Sequence, residues 1–235
     1  MLGYHDVKGE IDSFEYYVGG LPKNPKPPFN YKAPFSPVDV IEEYTRPARM
    51  KVNGKRITRS ALSEIENINF ENVGTLEAFN TDGLRSILVT MDHINNMKEK
   101  TLRYPGHAAL MANYRNAGKF DKERIRKTSD ELFRAWRLEK NEPELTIMKI
   151  IIKIEKSKIE YNLYDEFDVK TGFTSMSRTT GFTATATVNM VALNLFNECG
   201  VFPPELVGKK LNCTEYLIDY LFQKNIKLEK VVSEM

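Results

Sequence analysis

Lys98-Glu99-Lys100-Thr101-Leu102-Arg103-Tyr104-Pro105-Gly106-His107 reads as a strand through Tyr104, halted by a Pro-Gly turn that passes into a helix ending at Gly118. The turn gathers a guanidinium, a phenol and an imidazole within five residues: Arg103, Tyr104 and His107. Arg holds carboxylates bidentately, His exchanges a proton near neutral pH, and such turns set side chains at the mouths of clefts. The same residues also read as a strand end with a solvated Arg, a packed Tyr and a satisfied first-turn histidine. The surrounding sequence has to decide between the two.

Toward the N-terminus, Ile11–Val18 reads as a strand with Phe14, Tyr16 and Val18 on one face, ended by Gly19-Gly20. Pro22, Pro25, Pro27, Pro28 and Pro34 make the next loop stiff and extended. Ser36-Pro37 opens a helix through Tyr44, closed by Arg46-Pro47. Met50–Ile57 is a hairpin about Asn53-Gly54, and Ile65–Phe70 and Thr75–Phe79 are two short strands. Thr81-Asp82 caps a helix carrying Leu84, Ile87, Leu88 and Met91. Toward the C-terminus, residues 119–140 are charged and helical, and Leu145–Glu155 is a long strand with Met148, Ile150, Ile152 and Ile154 on one face. It pairs through Lys156-Ser157-Lys158 with Ile159-Tyr161-Leu163. The chain turns helical from Thr179 to Gly200, and Pro203-Pro204 opens a terminal helical segment. The hairpins imply an α+β fold: a mixed, mostly antiparallel sheet covered by helices on one face.

With 235 residues, 41% hydrophobic and 28% charged, the chain buries a full core without staples. A net charge of +2 implies no bulk attraction to nucleic acid or membrane. Residues 119–140 hold eight Lys/Arg against five Asp/Glu around Phe120, Phe133 and Trp136, a mixed pattern that suits a solvated helix. No apolar run reaches the roughly 18–20 residues of a membrane span. Cys199 and Cys213 lack metal-ligand spacing, and Asp6, Glu10 and Asp12 stand where a secretion signal needs apolar residues. A reduced, cytoplasmic protein is the expectation, with no metal site. No Gly-x-Gly-x-x-Gly or P-loop occurs, and Gly19-Gly20 precedes a proline-rich loop rather than a helix N-terminus. There is no complete Rossmann domain in this chain.

Several residues carry two readings. Lys32, after Tyr31, is either a solvated lysine or, held on the braced loop, a carboxylate partner or proton carrier. Glu77 lies in an apolar strand and needs a partner, for which Arg103 or Lys32 serves, in a structural or a functional pair. Thr81 and Asp82 are helix caps or substrate contacts. Thr179-Thr180-Gly181-Phe182 has the look of an anion-binding helix start.

Gly19-Gly20-Leu21-Pro22, Tyr31-Lys32, Gly74–Phe79, Thr81-Asp82-Gly83-Leu84-Arg85, Thr101–His107 and Thr179–Ala184, in that order, resemble the C-terminal, substrate-binding part of the saccharopine dehydrogenase-like family. Saccharopine-forming members carry an Arg-Gly pair after the Trp-Ser-Ser that follows their Tyr-Lys. Here Phe35-Ser36-Pro37-Val38-Asp39 stands there, and Ser36–Pro47 is more similar to the lysine 6-dehydrogenase-like branch. The long helical insertion of fungal saccharopine reductases is also missing.

The resemblance implies NAD(P)-dependent oxidation of the C–N bond of a lysine-like amino acid. Catalytic His107 and Lys32 would relay the proton. Arg103, with Lys32 or Tyr31, would hold the α-carboxylate, Glu77 and Asp82 would receive an ammonium, and Thr81 and Tyr104 would be further substrate contacts. Thr180 and Gly181 would touch the cofactor. It also implies that residues 1–175 form a substrate-binding and dimerisation domain, and that 176–235 pack back on an N-terminal Rossmann domain supplied in cis or in trans. Met1 stands where that domain should already be complete, so a cloned piece, a split gene or a truncation is expected. Alone, the chain is expected to be inactive and to bind no NAD or NADP. Phe182, Val188, Val191, Leu195 and Phe196 should be exposed or covered by a neighbouring subunit. The rival expectation is a non-catalytic homodimer assembled on the apolar face of the 145–167 hairpin, with a vestigial pocket.

Overall fold

The computed structural model describes residues 1–235. Helix α1 (Leu2–Asp6) leads to strand β1 (Ile11–Pro22). Helix α2 (Pro37–Thr45) then precedes the hairpin of β2 (Ala48–Val52) and β3 (Lys55–Arg59). A second hairpin, β4 (Glu66–Phe70) and β5 (Gly74–Asn80), is followed by the single-turn α3 (Ile87–Thr90), strand β6 (Asn96–Arg103), and helices α4 (His107–Asn116) and α5 (Ile125–Ala135). The long hairpin β7 (Glu144–Ile154) and β8 (Ser157–Glu166) gives way to α6 (Ser175–Ala192), α7 (Pro204–Val207), α8 (Leu211–Gln223) and β9 (Leu228–Glu234).

All nine strands join one sheet in the order β3-β2-β6-β1-β7-β8-β9, with β5 also on β6 and β4 on β5. Only β1 and β6 run parallel; every other pairing is antiparallel, as the hairpins require. The outer edge of β6 takes β2 at its start and β5 at its end. Alternation sets the two faces. Phe14, Tyr16 and Val18 stand beside Ile152, Ile150 and Met148 on one face, and α6 crosses β7 and β8 there with α8 packed on it. The apolar face of the hairpin is thus covered by the chain's own helices. On the other face, Lys98 pairs with Glu15 at 3.1 Å and Lys149 with Glu160 at 3.5 Å.

The Asn53-Gly54 turn forms as expected, with both residues at positive φ. Four readings need correction. Gly19-Gly20 does not end β1, which continues to Pro22. The glycines are there for proximity: a Cβ on Gly19 would lie 2.8 Å from the Leu102 carbonyl oxygen, and one on Gly20 would meet Pro34 and the Met176 methyl. The helix expected after Thr81-Asp82 shrinks to α3, because Arg85 adopts φ 47° and both capping side chains are taken by distant partners. Helix α6 starts at Ser175, capped by the Thr174 hydroxyl, so Thr179–Gly181 fall inside it. Leu228–Glu234, expected to be helical, is an edge strand whose partner β8 lies over sixty residues earlier.

Gly19→Ala should lower the unfolding free energy in urea by about 1–3 kcal/mol, because the group in the way is backbone and cannot swing aside. An unchanged denaturation midpoint would contradict the close β1–β6 approach.

Candidate active site

Strand alternation places Glu99, Thr101 and Arg103 on the same side of β6, opposite Phe79 and Glu77 of β5. Helix α2 faces them because Val40, Ile41 and Tyr44 are its buried positions. The consequence for Arg103 is complete burial: it is 1% exposed. Its guanidinium meets the Glu43 carboxylate of α2 at 2.5 Å and lies 4.3 Å from the centroid of the Tyr31 ring. Burial works against its charge, but Tyr31, Tyr44 and Glu43 together hold its proton more firmly than in water. Burial pushes the Glu43 carboxyl up, and the guanidinium pulls against that. The Arg103 Nε and the Trp136 Nε1 have no hydrogen-bond partner.

His107, at the start of α4, packs against the Tyr31, Tyr44 and Trp136 rings. Its Nδ1 lies 2.8 Å from the Phe29 carbonyl and its Nε2 2.8 Å from the Tyr44 hydroxyl. A carbonyl only accepts, so Nδ1 carries the proton and Nε2 accepts from Tyr44. Burial, then the nearby Arg103 charge, lowers its pKa to about 3. The proton relay expected of His107 therefore meets a neutral ring with both nitrogens committed, one that positions Tyr44 and the Phe29 loop.

Beside this cluster opens a cavity of about 400 Å³ between α2 and the Thr81–Arg85 turn. Its walls include Asp39, Glu42, Glu43, Asp82 and Glu99 against Arg46 and Arg85. Burial pushes the Asp82 carboxyl up, but the Arg49 guanidinium, bonded to both its oxygens at 2.9 and 2.8 Å, outweighs this and leaves its pKa below the ordinary value. Thr81 donates to Glu99 at 2.6 Å and contacts Thr101 at 2.8 Å. Glu43 and Glu99 escaped the sequence reading. Their only signal was the alternation of Glu99 with Thr101 and Arg103, and the position of Glu43 one residue before the buried Tyr44.

The other expected residues have structural partners. Glu77 accepts the N–H groups of Gly106 and Ala108 and so caps α4; it pairs with neither Arg103 nor Lys32. Lys32 donates to the Arg137 carbonyl at 2.8 Å and lies 4.0 Å from Glu142, which ties its loop to the end of α5. Tyr104 donates to the Pro22 carbonyl at 2.9 Å.

The sequence profile of the saccharopine dehydrogenase C-terminal domain matches residues 1–226. The chain belongs to that family. A curated relative, the α-aminoadipic semialdehyde synthase of Arabidopsis thaliana, is 32% identical over 129 residues, covering 51% of this chain and 12% of its own length. The chain thus spans about an eighth of the relative it matches. The apo saccharopine dehydrogenase (L-Glu forming) of Saccharomyces cerevisiae shares the fold at a TM-score of 0.74 and 16% identity, with 98% of this chain and 69% of the other covered.

Thr180 and Gly181 do not fit the pyrophosphate of a dinucleotide. The Thr180 hydroxyl is turned back to the Met176 carbonyl within α6, and Gly181 follows it in the same helix. The true start of α6 is filled by the chain itself: Glu144 accepts the Ser175 N–H. On α6, Val188 is 67% and Val191 57% exposed, as expected, whereas Phe182, and Leu195 and Phe196 beyond the helix end, are half-buried.

Two outcomes test the cluster. Glu43→Gln strands a buried guanidinium and should destabilise the fold by about 3–5 kcal/mol, while the apolar double variant Glu43→Met with Arg103→Met should recover most of that in the same urea titration. The native state binds a proton at His107 far less readily than the unfolded chain. The stability from that ring is therefore fully present above pH ~6.5 and lost as pH falls toward about 3. Nitrogen NMR at pH 5.5 should still show His107 as the neutral Nδ1–H tautomer; an imidazolium pattern would refute the assignment.

Proposed function

We propose that this domain is the amino-acid-binding part of an NAD(P)-dependent dehydrogenase acting on a CH–NH group, of the lysine 6-dehydrogenase or saccharopine dehydrogenase type. The observation that carries the reading is the acidic cleft under α2, whose walls hold five carboxylates against Arg46 and Arg85, with Arg103 and Arg49 paired to two of them, which leaves one negative charge in excess. Such a surplus suits an amino acid with an extra positive charge, and the exposed Arg85, which makes no ion pair, suits its carboxylate. The names of the Arabidopsis and yeast relatives point to the same class of chemistry.

In this reading Arg103 acts through Glu43, shaping the cleft wall, while Tyr31 and His107 hold Arg103 and α2 in place. Thr81 and Asp82 line the cleft directly. Lys32, Glu77 and Tyr104 brace the elements around it. A dinucleotide would be held by a separate N-terminal domain, in cis or in trans, against which the exposed Val188 and Val191 of α6 would pack. Residues 1–175 would then be the substrate-binding and self-associating unit of a cytoplasmic enzyme, a homodimer, and 176–235 the segment returning to the dinucleotide domain.

Calorimetry on the purified chain tests this. L-lysine should bind at least about tenfold more tightly than norleucine, its uncharged-tail analogue, and Arg85→Ala should weaken lysine binding. NADH fluorescence should show no saturable binding at low micromolar concentration. Equal affinities for lysine and norleucine would remove the basis for the reading.

A further inference from the structure

Of the five carboxylates around the cleft, three have a cation of their own. Glu42 pairs with Arg46, Glu43 with Arg103, and Asp82 with Arg49. Asp39 is exposed, in the first turn of α2, where the helix dipole favours its charge. Glu99 is the exception. It is 4% exposed and makes no ion pair. A buried carboxylate without a cation is among the least favourable arrangements in a protein interior.

The surroundings of Glu99 are nevertheless arranged for its ionised form. One oxygen, Oε2, accepts from the Thr81 hydroxyl at 2.6 Å and from the Gly83 N–H at 3.0 Å. Because Thr81 gives its single proton to Glu99, the Thr101 hydroxyl at 2.8 Å donates to Thr81 in turn. Gly83 lets the carboxylate come close: a Cβ there would lie 2.6 Å from Glu99 Oε2 and 2.6 Å from the Tyr16 hydroxyl and would push one of them aside. The other oxygen, Oε1, has no protein partner, and Glu99 forms part of the cavity wall.

We propose that Glu99 is the ammonium receptor of this cleft: its unbonded oxygen closes on an alkylammonium group that enters between α2 and the Asp82–Gly83 turn. This rests on the reading of the cleft as an amino-acid site and replaces Glu77 and Asp82 as the groups that receive the amine, since Glu77 is spent on the start of α4 and Asp82 on Arg49. A cation at Glu99 supplies the one charge that the wall lacks. Glu42, which lines the same cavity, already engages the Arg46 guanidinium. Burial, together with the charges of Glu43 and Asp82 and against the Thr81 and Gly83 donors, lifts the Glu99 pKa to about 7. The titratable and charged groups that share the cavity wall with it are Tyr16 on β1, Asp39, Glu42 and Glu43 on α2, Arg46 at its end, and Asp82 and Arg85 on the turn. The site therefore exchanges a proton for a cation near neutral pH.

The test uses n-pentylamine, which has the ammonium and no carboxylate, on the purified chain. Carbon NMR of the Glu99 carboxyl should show a midpoint near 7 that falls by about one unit or more when pentylamine saturates the site. Glu99→Gln should weaken pentylamine binding by roughly tenfold or more while keeping or raising the melting temperature at pH 8, and Asp39→Asn should weaken it by less than about threefold. No binding of pentylamine to the wild-type chain, or an unmoved Glu99 midpoint, overturns the proposal. So does equal weakening by the two variants, which would make the cleft a diffuse negative surface. Because the probe needs neither cofactor nor turnover, the two readings fail separately. Glu99-dependent pentylamine binding without selective lysine binding leaves the receptor and removes the dehydrogenase reading. Selective lysine binding indifferent to Glu99→Gln does the reverse.

Discussion

A guanidinium stays charged at every pH the fold survives, and Arg103 carries one into the core at 1% exposure. The surrounding structure is arranged to compensate for it. Glu43 has to reach it, so α2 must lie across the end of β6. Tyr31 has to offer its ring, so the proline-braced loop must fold back against the same strand. His107 has to be neutral that close to a buried cation, which burial and the Arg103 charge secure, while its hydrogen bonds to Tyr44 and Phe29 hold the ring in place. The core of Tyr31, Tyr44, Phe79 and Trp136 is the packing that these requirements leave around the ion pair.

The cleft follows from the same geometry. With α2 fixed by Glu43 and Tyr44, its outward acidic residues face the turn after β5, and the alternation of β6 places Glu99 on the floor between them. The neutralised carboxylates shape the wall, and the one that is buried and unneutralised gives the cavity its chemical preference. Charge distribution, rather than cavity size, distinguishes this opening from the apolar cavities beneath α6 and α8, which are lined by Met148, Leu217 and other core side chains.

Reading the residues in order reached the strand-turn-helix at 98–118, the Asn-Gly hairpin, the long β7–β8 pair and the mixed, mostly antiparallel sheet. These depend on local rules: a period of two, a turn that needs two positive φ angles, a proline that fits only the first turn of a helix. The site was legible only in outline. Arg103, His107, Tyr31, Thr81 and Asp82 do gather around one helix and one cleft, and Arg103 lies against Tyr31 as expected, but several of their other partners differ. Glu77 was expected to meet a cation and instead meets the backbone of α4. Thr81 and Asp82 looked like a helix cap because they precede an apolar run at helical spacing; Glu99 and Arg49, 18 and 33 residues away in sequence, claim both side chains.

The sequence by itself determined most of the strands and hairpin turns, the α+β class, and the family to which the order of motifs points, because each is encoded over a few neighbouring positions. The tertiary structure alone decided which charges are neutralised and which is left free. Arg49 of β2 reaches Asp82, and Arg103 of β6 reaches Glu43 of α2, only because the sheet and the helix packed on it bring them together. Gly19, Gly20 and Gly83 mark the difference. In the chain they read as breaks and turns, and in the fold they are the places where a backbone, a helix and a buried carboxylate come too close for a Cβ to stand between them.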